Sequence, residues 1–510
     1  MRVKNALMNS GAVVAQKIME IILSFAFRTI LIYTLDTTYL GLSSLFSNIF
    51  SLLSLMEMGV GSSIVFLMYK PLNDRNYDEV NALLRVYSRF YDILGILIAI
   101  IGFALIPFLP KIIKEYNSLE INLLPIYILT LLNVVFSYFL AYRRSLLEAD
   151  QKAYVNSINY TFFNFLGSIL RIVALLIFKD YVLTLVITFV LTIISNIVIY
   201  FKTNSLYSFL KIKTASKITK DKTIELLKRM GASIMHKIGN IVVTSTDNII
   251  ISAFIGVTVV GYYSNYSMMT GIIYSMFSLI FTSITANVGN MKLNASDEKS
   301  LEIFNRLFFL NFYFYFVSCT CFYVCIDDLI ILWIGGKYLL DSNIAFVLTI
   351  SLFIQGMRHV TVTFINSSGL NYDTRYKAIF EAVINLATSL ILVHFLGITG
   401  VILGTIISFV TVSVWFEPYI LYKKWFKKGL VKYYMKYSFY TILTIVSMII
   451  IRNVFNLLPS GNVLYFIFKA AFSFIAANLI VLLFFFRSND LKYYYTLVHS
   501  FIRRGKYKTK

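Results

Sequence analysis

The sequence is poor in charge, and poorest in acid. Only 14% of its 510 residues are Asp, Glu, Lys or Arg, while 58% are hydrophobic, against ~45–50% in soluble globules. That excludes a soluble globule and leaves a polytopic membrane protein. There are three cysteines, Cys319, Cys321 and Cys325, all within one apolar stretch. They suit buried thiols and exclude a disulfide framework or a metal site. The four histidines, His236, His359, His394 and His499, are scattered, and P-loop, GxGxxG, HExxH and GxSxG motifs are absent. Nothing points to nucleotide hydrolysis or to nucleophilic or zinc catalysis, so we expect a non-enzyme with no cofactor. The first apolar stretch is too long and too polar for a signal-peptide core and lacks a small-residue cleavage site, so it should stay in the membrane.

Acids number 25 against 46 basic residues, a net charge of +21. The basic residues sit mostly in short segments between apolar spans, where they set membrane orientation, and no nucleic acid is implied. Apolar stretches of about 20 residues predict fourteen helices, centred near Ile22, Leu53, Leu97, Leu131, Leu166, Thr192, Val243, Tyr274, Tyr313, Phe353, Leu386, Phe409, Thr444 and Phe474. Alternate connections carry Lys70 and Arg75; Arg143, Arg144 and Lys152; the run from Lys202 to Arg229; Lys292 and Lys299; Arg375 and Lys377; and Lys423 to Lys436. Lys and Arg accumulate on the cytoplasmic side, so both termini are expected inside. Pro107, Pro110, Pro125 and Pro418 fall where they end or bend helices. The tail from Leu491 interleaves Tyr and Phe with Lys and Arg, as a solvated tail or one lying on an anionic leaflet would.

Charge inside a span is costly and more often functional than not. In Gly11–Leu35, Lys17, Glu20, Ser24 and Arg28 fall at i, i+3, i+7 and i+11, one stripe of a helix at about 100° per residue. The stripe returns 220 residues later as Lys237, Asn240, Thr244 and Asn248, and Gly11, Lys17, Gly41 and Ser44 have identical partners at that offset. Such a duplication predicts two homologous six-helix lobes around a central cavity, residues 1–215 and 216–430, with 431–510 adding two spans and a basic tail. Lys17, Lys237 and Arg358 fall in the cytoplasmic half of their spans, Arg28 and Arg171 in the outer half. These five are the expected cavity cations for an anionic substrate. The alternative is local pairing, Lys17 with Glu20 and Arg358 with Glu381 or Glu57. Asp247 is either an ion-coupling carboxylate or a helix-packing group.

Tyr39–Leu72, Leu332–Asn343 and Asn366–Thr405 resemble bacterial polysaccharide repeat-unit flippases, the Wzx type of the multidrug/oligosaccharidyl-lipid/polysaccharide exporter superfamily. The resemblance implies an undecaprenyl-diphosphate-linked oligosaccharide substrate, moved from the inner to the outer leaflet of the bacterial cytoplasmic membrane by rocking of two lobes. Membrane lipids and the polymerase and glycosyltransferases of the same surface-polysaccharide pathway are the implied partners. In the related peptidoglycan-precursor flippases, lumen arginines lie on the first, second and eighth spans. Here the second span offers Glu57 and the eighth no charge, so the carry-over stops at Lys17 and Arg28. The rival readings are a cation-coupled multidrug exporter, which would want an acidic lumen, and a membrane polymerase or ligase, which would want a large outer loop. The orientation gives a test: cysteines placed at Asp36 and Thr258 should react with an impermeant thiol reagent from outside, and one at Lys217 should not. Reversed labelling would overturn the charge argument.

Overall fold

The computed structural model describes residues 2–57, 60–114, 116–211, 241–243, 245–455 and 461–507, with side chains described from Gln16. Every regular element among them is helical. In chain order the main helices are α1 (Arg2–Thr34), α2 (Thr37–Leu53), α3 (Val60–Asn73), α4 (Tyr77–Leu105), α5 (Leu123–Tyr138), α6 (Tyr142–Ala149), α7 (Ala153–Phe178) and α8 (Tyr181–Leu206). Then follow α9 (Ile241–Phe254), α10 (Val257–Ser283), α11 (Thr285–Asn294), α12 (Asp297–Trp333), α13 (Ser342–Met357) and α14 (His359–Ser368). The chain ends with α15 (Lys377–Ser408), α16 (Val414–Leu421), α17 (Leu430–Phe455), α18 (Val463–Phe485) and α19 (Asn489–Tyr507). Contacts divide the chain into two compact units, Met1–Ser264 and Asn265–Lys510.

Polar residues at the span ends start the helices. Asn76 accepts from the Glu79 amide at 3.2 Å and opens α4, Asp180 accepts from Val182 at 2.7 Å and opens α8, and Asn462 accepts from Leu464 at 2.8 Å and opens α18. Among the described residues nine helical stretches are long and apolar enough to cross a membrane, ten when the bent pair α5 and α6 counts as one. One of the nine, Lys377–Phe426, is broken at Gly397, whose φ of 56° is left-handed and needs no Cβ to avoid. Pro107 and Pro110 open short turns after α4, and Pro125 sits in the first turn of α5. Pro418 lies inside α16, flanked by π-helical turns at Phe409–Ser413 and Tyr422–Phe426 that absorb its missing hydrogen bond.

Residues 220 apart meet directly within the first unit. Thr38 and Thr258 are hydrogen-bonded through their hydroxyls at 3.1 Å. A Cβ on Gly41 would fall 2.0 Å from the Val257 carbonyl oxygen, and one on Gly261 would fall 2.2 Å from that of Thr37. The contact is reciprocal: each glycine meets the first-turn carbonyl of the other helix. Only glycine allows the helices this approach.

In the second unit α12 is the buried hub, with Phe304, Phe308, Phe312, Tyr315 and Phe316 fully enclosed. Two ion pairs fasten α17 and α18 to it: Arg452 to Asp327, and Lys469 to Asp328 at 2.8 Å. Cys319, Cys321 and Cys325, on the same helix, are free thiols. Gly41→Ala and Gly261→Ala should each lower the thermal midpoint in detergent, because a backbone oxygen must yield. Gly271→Ala, with nothing within 4 Å of the new methyl, should leave it unchanged.

Candidate functional site

The clearest cavity of the first unit is a consequence of a broken helix. The α5 helix stops at Tyr138, α6 sets off at 45° to it, and the carbonyls at the break lose their helical donors. Asn196 of α8 supplies them: its Nδ2 donates to the carbonyls of Phe136 (3.1 Å), Ser137 (3.4 Å) and Phe139 (3.1 Å). Its Oδ1 accepts from Arg144 Nη2 at 2.9 Å, and Arg144 also reaches Ser195 Oγ at 3.3 Å. The space left between this elbow, α7 and α8 is about 540 Å³. Arg144, Tyr160, Asn164, Arg171, Thr188 and Thr192 are among its lining residues.

Arg171 lies further along α7. It donates through Nε to the Gly167 carbonyl (3.2 Å) and through Nη2 to Ser168 Oγ (2.9 Å), with its guanidinium 4.7 Å from the Phe27 ring centre. Arg28 donates to the carbonyl and hydroxyl oxygens of Ser264, both at 3.1 Å. Arg28 and Arg171 both lie within electrostatic reach of buried Tyr181, so the structure brings these two expected cavity cations to one neighbourhood. Lys17 pairs with Glu20 at 3.3 Å, with side chains 36% and 39% exposed. Glu57 accepts from Tyr91, whose hydroxyl accepts from Tyr87 at 2.7 Å. Asp247 lies within electrostatic reach of Tyr263. Lys237 lies outside the described residues, as do Asn240, Thr244 and Lys217.

Arg358 has a different setting. Its Nε and Nη2 donate to the two oxygens of Glu417 at 3.1 and 2.8 Å, and its Nη1 donates to Glu381 at 3.4 Å. Lys377 bonds the same two carboxylates, Ser413 donates to Glu381, and all four charged side chains are at least 85% buried. Two cations and two anions thus close on themselves. Of the two pairings expected for Arg358, the one with Glu381 forms, while Glu57 engages tyrosine.

Sequence reasoning missed Arg144, Lys377 and Glu417 as interior groups. The first two read from the sequence as orientation charges because they lie beside span ends. A signal for the cavity existed on α7, where Tyr160, Asn164, Gly167 and Arg171 recur at i, i+4, i+7 and i+11. Among the described residues no group of three or more His, Cys, Asp or Glu side chains could hold a metal ion.

Residues 3–285, more than half of the chain, match the model of a family described as polysaccharide biosynthesis protein. The chain belongs to that family. This polysaccharide biosynthesis family member also shares its fold with solved transporters. Lipid II flippase MurJ in an inward closed conformation superposes with a TM-score of 0.70 at 15% identity, covering 94% of this chain and 99% of that one. An inward-facing MATE-family multidrug resistance transporter of the MOP superfamily gives 0.60 at 15% identity, covering 81% and 98%. A MATE transporter of Vibrio cholerae gives 0.55 at 15% identity, covering 84% and 99%. No curated protein matches the sequence. The expected all-α polytopic fold is therefore present, and these solved transporters share it.

The quartet around Arg358 gives a test. Arg358→Met should destabilise by about 3–5 kcal/mol, because it strands a buried carboxylate with one cation too few. Adding Glu417→Gln restores the balance and should recover most of the loss in thermal unfolding; no recovery would mean that the charges are not coupled.

Proposed function

We propose that this family member is a flippase for undecaprenyl-diphosphate-linked oligosaccharide repeat units, carrying them from the inner to the outer leaflet of the bacterial cytoplasmic membrane for surface-polysaccharide synthesis. The observation that carries the reading is a contrast of charge. Interior cations of the second unit are answered by carboxylates: Arg358 and Lys377 by Glu381 and Glu417, Arg452 by Asp327, and Lys469 by Asp328. Among the described residues, Arg144 and Arg171, in the first unit's cavity, donate their hydrogen bonds to neutral oxygens, with Glu148 within electrostatic reach of Arg144 but not in contact with it. A cavity with positive charge left over suits an anionic cargo and repels a cationic drug, which disfavours the multidrug-exporter alternative.

In this proposal Arg28 and Arg171 meet the diphosphate in the outer half of the membrane, while Lys17 and Lys237 meet it in the inner half. A phosphate crossing ~30 Å of hydrocarbon needs a counter-charge at more than one depth. The long prenyl chain can remain in lipid. Arg358 is assigned to holding its network, with Glu381 as its partner, and Glu20 to holding Lys17. Glu57 and Asp247 are the carboxylates proposed for ion coupling.

The test is reconstitution into proteoliposomes with a fluorescent undecaprenyl-diphosphate oligosaccharide and, in parallel, a cationic dye. The expected result is translocation of the lipid-linked sugar and none of the dye. Arg28→Ala should slow delivery about tenfold, the worth of one charge-assisted hydrogen bond, with initial binding spared. Dye extrusion without sugar translocation would establish the exporter reading instead.

A further inference from the structure

The cavity beside the elbow has a guanidinium toward each end. Arg144 bonds Ser195, whose own hydroxyl donates to Asn159 of α7 at 2.8 Å, so its head lies level with Asn159. Arg171 folds back to Gly167 and Ser168. From Asn159 to Gly167 is eight residues of helix, so the two heads are about 12 Å apart along α7. Tyr160 and Asn164 line the wall between them, and Tyr160 lies within electrostatic reach of Glu20 and of both arginines.

Neither arginine has a carboxylate within 4.0 Å among the described residues. Glu148, one turn beyond Arg144, lies within electrostatic reach of it without such a contact. A guanidinium carries five N–H donors. Arg144 gives its bonds from Nη2 and Arg171 from Nε and Nη2, which leaves donors to spare on each. The cavity volume of about 540 Å³ lies within the range of small-molecule sites.

We infer that this cavity, formed wholly within the first unit, is an anion-binding site that takes phosphate or carboxylate oxygens at two stations, Arg144 and Arg171. It rests on the flippase reading only for the source of the anion, which is the lipid diphosphate or an acidic sugar. Under the proposed orientation Arg144, on α6, is the inner station and Arg171, on α7, the outer one, so the anion passes from one helix to the next across part of the membrane. The chemistry is charge-assisted hydrogen bonding to oxygen, for which the planar guanidinium is better shaped than ammonium.

The full-length protein in lipid nanodiscs, titrated with inorganic pyrophosphate, farnesyl diphosphate and glucuronate, tests this. Saturable binding is expected, weakened about tenfold by Arg144→Gln and by Arg171→Gln, with part of each loss recovered by Lys. Binding of the two diphosphates without glucuronate assigns the lipid diphosphate as the source, and binding of glucuronate without them assigns an acidic sugar. No binding of any probe, or wild-type affinity in the folded double variant, overturns the site. Arg144 also braces the elbow, so a second measurement leaves both arginines in place. A cysteine substituted for Thr188 on the cavity wall should react faster with an anionic than with a cationic methanethiosulfonate, and pyrophosphate should slow it. The unsubstituted protein sets the baseline for the three native thiols. Faster reaction with the cationic reagent would overturn the site. Loss of sugar translocation with anion binding intact would reject the flippase reading and keep the site; translocation intact without anion binding would do the reverse.

Discussion

Moving an ionised side chain from water into hydrocarbon costs several kcal/mol unless another charge or a wet cavity receives it. That penalty organises the interior of this protein. Among the described residues of the second unit, Arg358, Lys377, Arg452 and Lys469 are each met by a carboxylate, and these pairs tie together the helices that carry them. In the first unit Arg144 and Arg171 border open space and are steadied by hydroxyl, amide and carbonyl oxygens. The same physical demand is met by neutralisation at the second unit's ion pairs and at Lys17 with Glu20, and by a cavity at Arg144 and Arg171.

Hydrogen bonding imposes the companion constraint. With no water in the bilayer core, each break in a helix must be answered by a side chain or by altered turns. The interruption after Tyr138 is answered by Asn196, and the proline at 418 by π-helical turns on either side. Both repairs lie beside charge: Arg144 shares Asn196, and Glu417 precedes Pro418. At these two places irregular backbone and buried charge coincide, as they do in membrane proteins whose broken helices line cavities.

Much of the fold was legible because apolar runs of span length separated by basic segments admit few other structures. Most expected span centres fall inside helices, but Leu53 is the last residue of α2, Leu386 and Phe409 share one apolar stretch that Gly397 divides, and nine or ten spans, not fourteen, are long and apolar enough among the described residues. On the first helix, local pairing was legible from spacing, since Lys17 and Glu20 sit three apart and do meet. Partners far apart in sequence were harder. Nothing local announces that Arg358 meets Glu417 across 59 positions, or that Lys469 reaches Asp328. Lys377 and Arg144 illustrate a deeper ambiguity: a basic residue next to a span end reads as an orientation signal, yet the helix can continue or turn so that the same residue faces inward.

The ion pairs of the last two helices bear on how the chain is made. Lys469 sits six residues inside α18 and is 4% exposed, so α18 enters the bilayer carrying a charge whose partner, Asp328, was synthesised 141 residues earlier. A lysine at a helix centre opposes insertion by about 2.5–3.5 kcal/mol, and one nearer the end, like Lys469, by less; a waiting carboxylate lowers that barrier. Biogenesis therefore has an order: α12 must already be in the membrane, with Asp327 and Asp328 held unpaired in the interim, before the final hairpin can settle. The late helices complete the earlier one as much as they depend on it.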